Sequence, residues 1–152
     1  MNKNILYDIE DAEMVEQYTW YVNKSKLSNR DLRYAEYKFS DGSHMSMHRF
    51  LMGNPKGKHV DHINGNGLDN RRSNLRIATI SQNLANTDKH SHNTSGYKGV
   101  YWDKVNKKWK AQITKNNKVR SLGRYVDILE AAKAYDNAAI SLHGEFARLN
   151  LK

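Results

Sequence analysis

The chain has 152 residues, with 25 Lys and Arg against 16 Asp and Glu, and a formal net charge of +9. This excess of positive charge favours an anionic partner, of which nucleic acid is the commonest. The absence of cysteine excludes disulfide bonds and thiolate zinc sites. No apolar run is long enough for a transmembrane helix, and the polar start Met-Asn-Lys-Asn differs from a secretory signal. The composition therefore predicts a soluble, intracellular protein that binds nucleic acid.

The positive charge is concentrated in the last third of the chain. Residues 97–152 carry 12 Lys and Arg against 5 Asp and Glu, a net charge of +7. Residues 1–50 carry 7 basic and 8 acidic side chains, a net charge of −1. We therefore expect the C-terminal third to lead the contact with nucleic acid and the acidic N-terminal lobe to contribute little to it.

Residues 1–50 are rich in aromatic and β-favouring side chains. Strands are predicted there at 18–22, 34–39 and 44–50. Asp41-Gly42 is the signal of a two-residue hairpin between the last two strands. Met45 and Met47 would share one face of the return strand, with His48 packed at the hairpin edge. The only proline, Pro55, marks the end of this lobe.

A strand, a loop, a strand and a helix are predicted next, in that order. The two strands are 58–61 and 75–78, joined by a loop rich in glycine and asparagine at 63–73. Thr79 and Gln82 form a capping box, which predicts a helix from Ile80 to about Asp88. The polar, aperiodic segment that follows, at 91–96, is interpreted as a linker.

Four polar residues in this region suit the hydrolysis of a phosphodiester: Asp61, His62, Asn74 and Asn83. A neutral histidine is a suitable general base near pH 7, so His62 is the candidate that activates water. Oxygens of Asp61 and Asn83 would bind Mg²⁺ or Mn²⁺, and no structural zinc is expected. Asn74 would orient the His62 loop through its amide. The alternative is that these residues only form turns.

One stereochemical condition applies to this site. Neighbouring residues on a regular strand point to opposite faces. If Asp61 and His62 both serve one site, the strand must therefore end or twist at that pair. The glycine- and asparagine-rich sequence immediately after His62 is consistent with a strand that ends there.

Two runs of sequence connect these residues to a known family. Val-Asp-His-Ile-Asn-Gly at 60–65 and Leu-Asp-Asn-Arg-Arg-Ser-Asn-Leu-Arg at 68–76 resemble the HNH endonucleases, and most closely the homing-type branch of mobile elements and phages. The resemblance covers about 44–90 and implies a ββα-metal fold. It implies that His62 activates water, that Asp61 and Asn83 bind the metal, and that Asn74 occupies the central Asn position. The last position of the family triad is often His, and here it is Asn83, which argues against strong binding of soft metals.

The C-terminal third has the pattern of a small sheet followed by one helix. Strands are predicted at 98–102, 108–115 and 119–123, and Asp127 would cap a helix over 128–142 that ends at Gly144. Alternation directs four apolar side chains towards the helix: Val100, Ala111, Ile113 and Leu122. The opposite face would carry six residues that contact phosphates and base edges: Lys98, Tyr101, Lys110, Gln112, Thr114 and Ser121.

This C-terminal segment also resembles a known family. Ser95-Gly-Tyr-Lys-Gly-Val-Tyr101, Leu122-Gly-Arg-Tyr125 and the run from Glu130 to Ala139 are similar to the plant ethylene-response-factor (apetala-type) DNA-binding domain, over about 95–150. The resemblance implies a three-stranded antiparallel sheet packed on one helix, with the outer face of the sheet in the major groove of double-stranded DNA. This chain has fewer arginines on that face. Because lysine lacks the bidentate geometry that reads guanine, a different target and weaker specificity are expected.

Together these patterns predict an α+β protein. A β-rich lobe at 1–50 and a ββα-metal core at about 58–88 would form an endonuclease domain at 1–90, followed by the linker and a DNA-binding domain at 97–152. The predicted function is a site-specific DNA endonuclease of the homing type that uses one metal ion and nicks its target, with a monomer favoured. The alternative is a sequence-specific DNA-binding regulator with an inactive nuclease site. A phage-encoded chain would act in the host cytoplasm.

Overall fold

The computed structural model describes residues 4–24, 32–90 and 92–151. The chain divides into two compact units, Met1–Ile80 and Ser81–Lys152. The described residues form three antiparallel sheets together with four α-helices, which confirms the predicted α+β class. No helix in the described ranges is long and apolar enough to cross a membrane.

The first unit contains a three-stranded sheet and a two-stranded sheet. Its elements, after a 3-10 turn at Ile9–Asp11, are α1 (Ala12–Val15), β1 (Tyr21–Lys24), β2 (Arg33–Lys38), β3 (His44–Ser46), α2 (Met47–Leu51), β4 (His59–His62) and β5 (Leu75–Ala78). Strands β1, β2 and β3 pair in that order, and β4 pairs with β5. The core includes Val15, Trp20 and Met47, with Trp20 and Phe50 in ring contact.

The predicted third strand is wrong beyond Ser46, where the chain continues as helix α2. Met47 and Leu51 are both buried, and four residues apart they lie on the same side of a helical turn. The alternation of Met45 and Met47 fits a strand equally well, so burial of Leu51 decides the conformation. As a consequence, His48 lies on α2 and not at the edge of a hairpin.

The turn between β2 and β3 is longer than the two-residue hairpin predicted from Asp41-Gly42. The amide of Phe39 donates to the carbonyl of Ser43 at 2.9 Å, which leaves three residues in the turn. Gly42 has a φ of +86°, the left-handed conformation that a three-residue hairpin requires and that glycine adopts without steric cost. The first strand also begins later than predicted, at Tyr21.

The second unit packs one long helix on a three-stranded sheet. Its elements are α3 (Ile80–Asn86), β6 (Val100–Asp103), β7 (Lys108–Lys115), β8 (Lys118–Tyr125) and α4 (Ile128–His143). Strands β6, β7 and β8 pair in that order. Val100 and Ala111 are paired in register and meet Ala131 and Ala132 of α4, where the small side chains allow close approach. Helix α4 begins as predicted, because the carboxylate of Asp127 accepts the amide of Leu129 at 2.7 Å.

The segment expected to be a linker is tied to the start of β6. The side-chain amide of Asn93 donates to the carbonyl of Tyr97 at 2.7 Å, and the hydroxyl of Ser95 donates to the carbonyl of Val100 at the same distance. Asn93 also accepts the amide of Gly96 at 2.8 Å. Asn93 and Ser95 therefore tie this segment to the start of β6, since asparagine and serine side chains readily bind nearby backbone groups.

Two glycines in this region provide a matched test of packing. Gly99 has a φ of +73°, and a Cβ there would overlap the ring of Tyr135 and the carbonyl oxygen of Gln112. Gly96 has a similar φ of +83° but open space around it. We expect Gly96→Ala to cost about 1–2 kcal/mol because of its backbone conformation. Gly99→Ala should cost about 1–3 kcal/mol more, because it also overpacks the core.

Urea unfolding of the two variants measures this difference. Equal losses for Gly96→Ala and Gly99→Ala would show that the backbone conformation alone matters, and that Tyr135 does not pack tightly over β6.

Candidate active site and nucleic-acid interface

Asp61 is held by a buried ion pair across the two-stranded sheet. In the register of β4 and β5, Asp61 lies opposite Arg76. Nε and Nη2 of Arg76 both lie 2.9 Å from Oδ2 of Asp61. Asp61 is only 5% exposed, and a buried carboxylate needs such a partner to offset its loss of hydration. The arginine therefore fixes the orientation of this carboxylate.

His62 ends β4, as the condition for a shared site with Asp61 requires. Its ring is buried and lies 4.9 Å, between centroids, from His48 on α2, and 6.0 Å from Tyr34 on β2. Nε2 of His62 is 3.4 Å from Oδ1 of Asn70. Because an amide oxygen only accepts, Nε2 is the donor, and Nδ1 is the nitrogen with the lone pair.

The protonation of His62 is governed mainly by its surroundings within the first unit. Burial lowers its pKa from the ordinary value, while the hydrogen bond to Asn70 and the charges of Asp61 and Asp69 raise the pKa in part. The neutral ring is favoured by this balance, and a neutral imidazole is the form that accepts a proton.

Asn74 closes the loop that follows His62. Its side-chain amide donates to the carbonyl of Asp69 at 2.8 Å and to Oδ1 of Asn64 at 3.1 Å. Its Oδ1 accepts the amide of Asn64 at 3.0 Å, and its carbonyl accepts the amide of Ile63 at 2.9 Å. Asn74 thus joins both ends of the loop immediately beyond His62, and its role in orienting His62 stays a prediction.

The acidic N-terminal lobe secures the same loop. The carboxylate of Asp11 is buried and accepts hydrogen bonds from Nε and Nη2 of Arg72, the shortest of them 2.7 Å long. The carboxylate of Asp8 accepts the backbone amide of Arg72 at 2.7 Å. Leu6 exchanges backbone hydrogen bonds of 2.8 Å with Leu68 and Asn70. The acidic charge of this lobe therefore has a structural role that its composition does not reveal.

The two expected metal ligands lie in different units. Asp61 is in the first unit, and Asn83 is on α3, which continues into the second. Among the described residues, no group of three or more His, Cys, Asp or Glu could hold a metal ion. A carboxylate oxygen and an amide oxygen, completed by water and phosphate, are a donor set that suits a hard cation such as Mg²⁺.

Sequence reasoning missed three residues of this region, namely His48, Asn70 and Arg76. Arg76 could have been found by placing β4 and β5 in antiparallel register, which sets it opposite Asp61. Asn70 carries no periodic signal, since it lies in an irregular loop. His48 was missed because its helix was interpreted as a strand. Its Nδ1 is buried with no hydrogen-bond partner in the described part of the chain.

The sheet of the second unit presents polar side chains on the face opposite α4. Tyr101 lies opposite Lys110, whose Nζ is 5.5 Å from the centroid of the tyrosine ring. The hydroxyl of Tyr101 donates to Oε1 of Gln112 at 2.9 Å, and Gln112 lies opposite Ser121. Thr114 follows on the same face and is exposed. These five predicted DNA-binding residues are therefore brought together.

Lys98, the sixth predicted DNA-binding residue, is placed elsewhere. It precedes β6, and its ammonium donates to the carbonyls of Ala85 and Thr87, both at 2.6 Å. Those carbonyls belong to the C-terminal end of α3 and the residue after it, where lysine neutralises unpaired acceptors. The ammonium of Lys98 therefore stabilises a helix terminus, and its contact with DNA stays a prediction.

Comparisons with known proteins agree with this arrangement. Residues 52–85 match the family model described as HNH endonuclease, and residues 95–145 match the AP2 domain. The chain is 35% identical over 144 residues to the uncharacterized HNH endonuclease L560 of Acanthamoeba polyphaga mimivirus, which covers 90% of this chain and 69% of that protein. It is 38% identical over 94 residues to Protein 3.8 of Escherichia phage T7, covering 62% and 77% of the two chains. No solved structure matches the chain significantly.

The burial of His48 predicts a pH dependence of stability. Burial, with the charges of His62 and Arg49, lowers the pKa of His48 from 6.5 to about 3. The unfolded chain therefore binds the proton more readily, so the free energy of unfolding should fall as the pH falls from 6.5 towards 3. His48→Phe retains a ring but cannot titrate. Relative to this variant, the wild type should lose at most about 1.4 kcal/mol per pH unit in that window.

Urea unfolding of both proteins at a series of pH values tests this. The comparison at pH 8, where His48 is neutral in the folded and unfolded states, gives the packing cost of the substitution alone. Parallel curves for the two proteins between pH 6.5 and 4 would contradict the buried, neutral state of His48.

Proposed function

Since the chain belongs to the HNH endonuclease family, we propose that it is a site-specific DNA endonuclease of the homing type. In this proposal the β6–β8 sheet positions the protein on double-stranded DNA, and the HNH site hydrolyses one phosphodiester with a single Mg²⁺ or Mn²⁺. The observation that carries the proposal is the environment of His62. Its buried imidazole lies at the end of β4 and donates from Nε2 to the amide oxygen of Asn70. The preceding residue, Asp61, has a buried carboxylate.

His62 is the proposed general base. Its Nε2 donates to Asn70, so Nδ1 carries the lone pair that takes a proton from the attacking water. The ring is in contact with the rings of His48 and Tyr34 and is hydrogen-bonded to Asn70. Asn74 fixes the loop that begins directly after the histidine. These contacts limit the rotation of the imidazole, which lowers the entropic cost of reaching the reactive geometry.

Asp61 and Asn83 are the proposed ligands of the metal ion. Both offer oxygen donors, which a hard divalent cation prefers, and the carboxylate of Asp61 is oriented by Arg76. A bound Mg²⁺ would stabilise negative charge on the phosphate and on the departing oxygen. The chain itself supplies these oxygens, and it places the proposed base, His62, directly after Asp61 on β4.

The outer face of the second sheet is the proposed DNA surface. Lys110 supplies positive charge, and Tyr101, Gln112, Thr114 and Ser121 supply groups that bind phosphates or base edges. The match of residues 95–145 to the AP2 domain supports this assignment. Because each chain would carry one nuclease site, a monomer should nick its target.

A DNA-binding regulator with an inactive nuclease site is the second candidate. The observation that favours it is the ion pair between Asp61 and Arg76, since the guanidinium already neutralises the carboxylate that a metal ion would use. The two candidates differ in one measurable respect, which is cleavage that depends on a divalent metal.

Incubation of supercoiled plasmid with protein and Mg²⁺ distinguishes the endonuclease from the regulator. We expect the wild type to produce nicked circles, and His62→Ala to reduce the rate about 100-fold or more, the usual contribution of a general base. His59→Ala is the matched control, because His59 lies on the same strand but is exposed. It should retain activity. A wild type that binds duplex DNA but does not cut it with Mg²⁺ or Mn²⁺ would favour the regulator.

The contact between Asn70 and His62 gives a second prediction. Asn70→Ala removes the acceptor for Nε2, and kcat should fall on the order of 10- to 100-fold, as when other groups that orient a histidine through its second nitrogen are removed. KM for DNA should stay nearly constant, since Asn70 is fully buried within the first unit. Asn70→Asp retains an acceptor and should restore most of the rate.

Single-turnover cleavage at saturating DNA separates kcat from binding in these variants, and circular dichroism establishes that each is folded. If Asn70→Asp is as slow as Asn70→Ala, Asn70 supports only packing, and the proposed assignment of Nδ1 as the basic nitrogen is wrong.

A further inference from the structure

Arg124 shares a row of side chains with Tyr101 and Lys110 across the sheet of the second unit. In register, Lys110 of β7 lies opposite Tyr101 of β6 on one side and Arg124 of β8 on the other. The neighbouring residue Tyr125 packs in the core beneath α4. Because successive side chains on a strand alternate between faces, Arg124 points to the face away from the helix, together with the proposed DNA-binding residues.

Arg124 is held by an ion pair with Asp103. Its Nε donates to Oδ2 of Asp103 at 2.7 Å. The side chain of Arg124 is 47% exposed, while that of Asp103 is 13% exposed. Exposed ion pairs contribute little to stability. The pair therefore affects chiefly where the guanidinium points.

Asp103 is itself fixed by the turn between β6 and β7. Its Oδ1 accepts the backbone amides of Val105 and Asn106, both at 3.1 Å, and its Oδ2 accepts the side-chain amide of Asn106 at 2.9 Å. These donors and the guanidinium hold the pKa of Asp103 well below its ordinary value, so the carboxylate stays ionised. Arg124 is thus anchored to a group that cannot move independently of the sheet.

The anchored nitrogen determines which edge of the guanidinium is presented outwards. With Nε directed at Asp103, the two terminal nitrogens form the leading edge of a planar fork. A fork of two parallel N–H donors matches the O6 and N7 acceptors of guanine in the major groove. Because the fork is ordered before DNA binds, less side-chain entropy is lost on binding than with an unanchored arginine.

We propose that Arg124, oriented by Asp103, is a specificity-determining residue that reads one guanine of the DNA target through bidentate hydrogen bonds. The inference rests on the proposed function, in that the outer face of the β6–β8 sheet must enter the major groove. Arg124 would be a seventh DNA-binding residue beside the six predicted from the sequence, none of which is an arginine. It also assigns a partner to Asp103, an acidic residue on a surface that would meet a polyanion.

The test begins with selection of target sites from a randomised duplex library, using the full chain in EDTA so that no cleavage occurs. Affinities are then measured for the selected duplex and for every single base-pair change in it. The wild type should prefer guanine at one position by about 5- to 150-fold, the range of one bidentate contact. Arg124→Lys keeps the charge but should abolish that preference, and Asp103→Asn should reduce it.

Arg120→Lys is the matched control. Arg120 lies on the same strand but opposite Ile113, whose side chain is buried against α4, and so lies outside the row with Lys110. This variant should leave the preference at every position unchanged. Circular dichroism should show all three variants folded, since the substituted side chains lie at or near the surface.

The outcomes separate the two proposals. If Arg124→Lys weakens binding to all duplexes equally, Arg124 contacts phosphate and does not read a base, and this inference is overturned while DNA binding stands. The same holds if the wild type binds every duplex with equal affinity, or if Arg124→Lys leaves the guanine preference intact. If the wild type binds no duplex at all, the proposed DNA-binding function fails, and this inference fails with it.

Discussion

The loop between β4 and β5 depends on one network of amides and carboxylates. Asp69 is almost completely buried, and both of its carboxylate oxygens accept hydrogen bonds from Arg71, while one also accepts from Asn64. The side chain of Asn74 donates to the carbonyl of Asp69 and to Oδ1 of Asn64, and it accepts the backbone amide of Asn64. Apart from a 3-10 turn at Arg72–Asn74 this loop is irregular, and it needs such partners because buried polar groups are costly when unpaired. His62 is the last residue of β4 and directly precedes this loop, so the network restricts the position of the proposed base.

The sequence predicts the elements that carry their own local signals. Strands β5 and β7 and the starts of α3 and α4 occur where the pattern places them, because alternation and capping are properties of neighbouring residues. Helix α2 could not be predicted in this way. A short amphipathic run at Met47 fits a strand or a helix locally, and burial of Leu51 in the core of the first unit decides between them.

The same distinction separates the parts of the candidate site. Asp61, His62 and Asn74 are found from their spacing, since the family motif is continuous in sequence. Arg76 is found only when β4 and β5 are paired, because the register sets it opposite Asp61. Asn70 requires the conformation of the irregular loop, which brings its amide to His62. His48 requires in addition that α2 be recognised as a helix. The residues proposed to carry the chemistry can thus be identified from the sequence, whereas the residues that contact and orient them depend on the fold.

Charge in the second unit shows why composition alone does not locate a binding surface. Lys98 donates to carbonyls at the end of α3, and Lys115 donates to the carbonyl of Leu142 near the end of α4, at 2.9 Å. Both side chains add to the net charge of +7 but serve helix termini, where cations are favoured by the unpaired carbonyls. Arg124 lies instead on the outer face of the sheet, beside Lys110. The hydrogen bonds of each cation, more than their total number, therefore determine which charges this unit directs towards a polyanion.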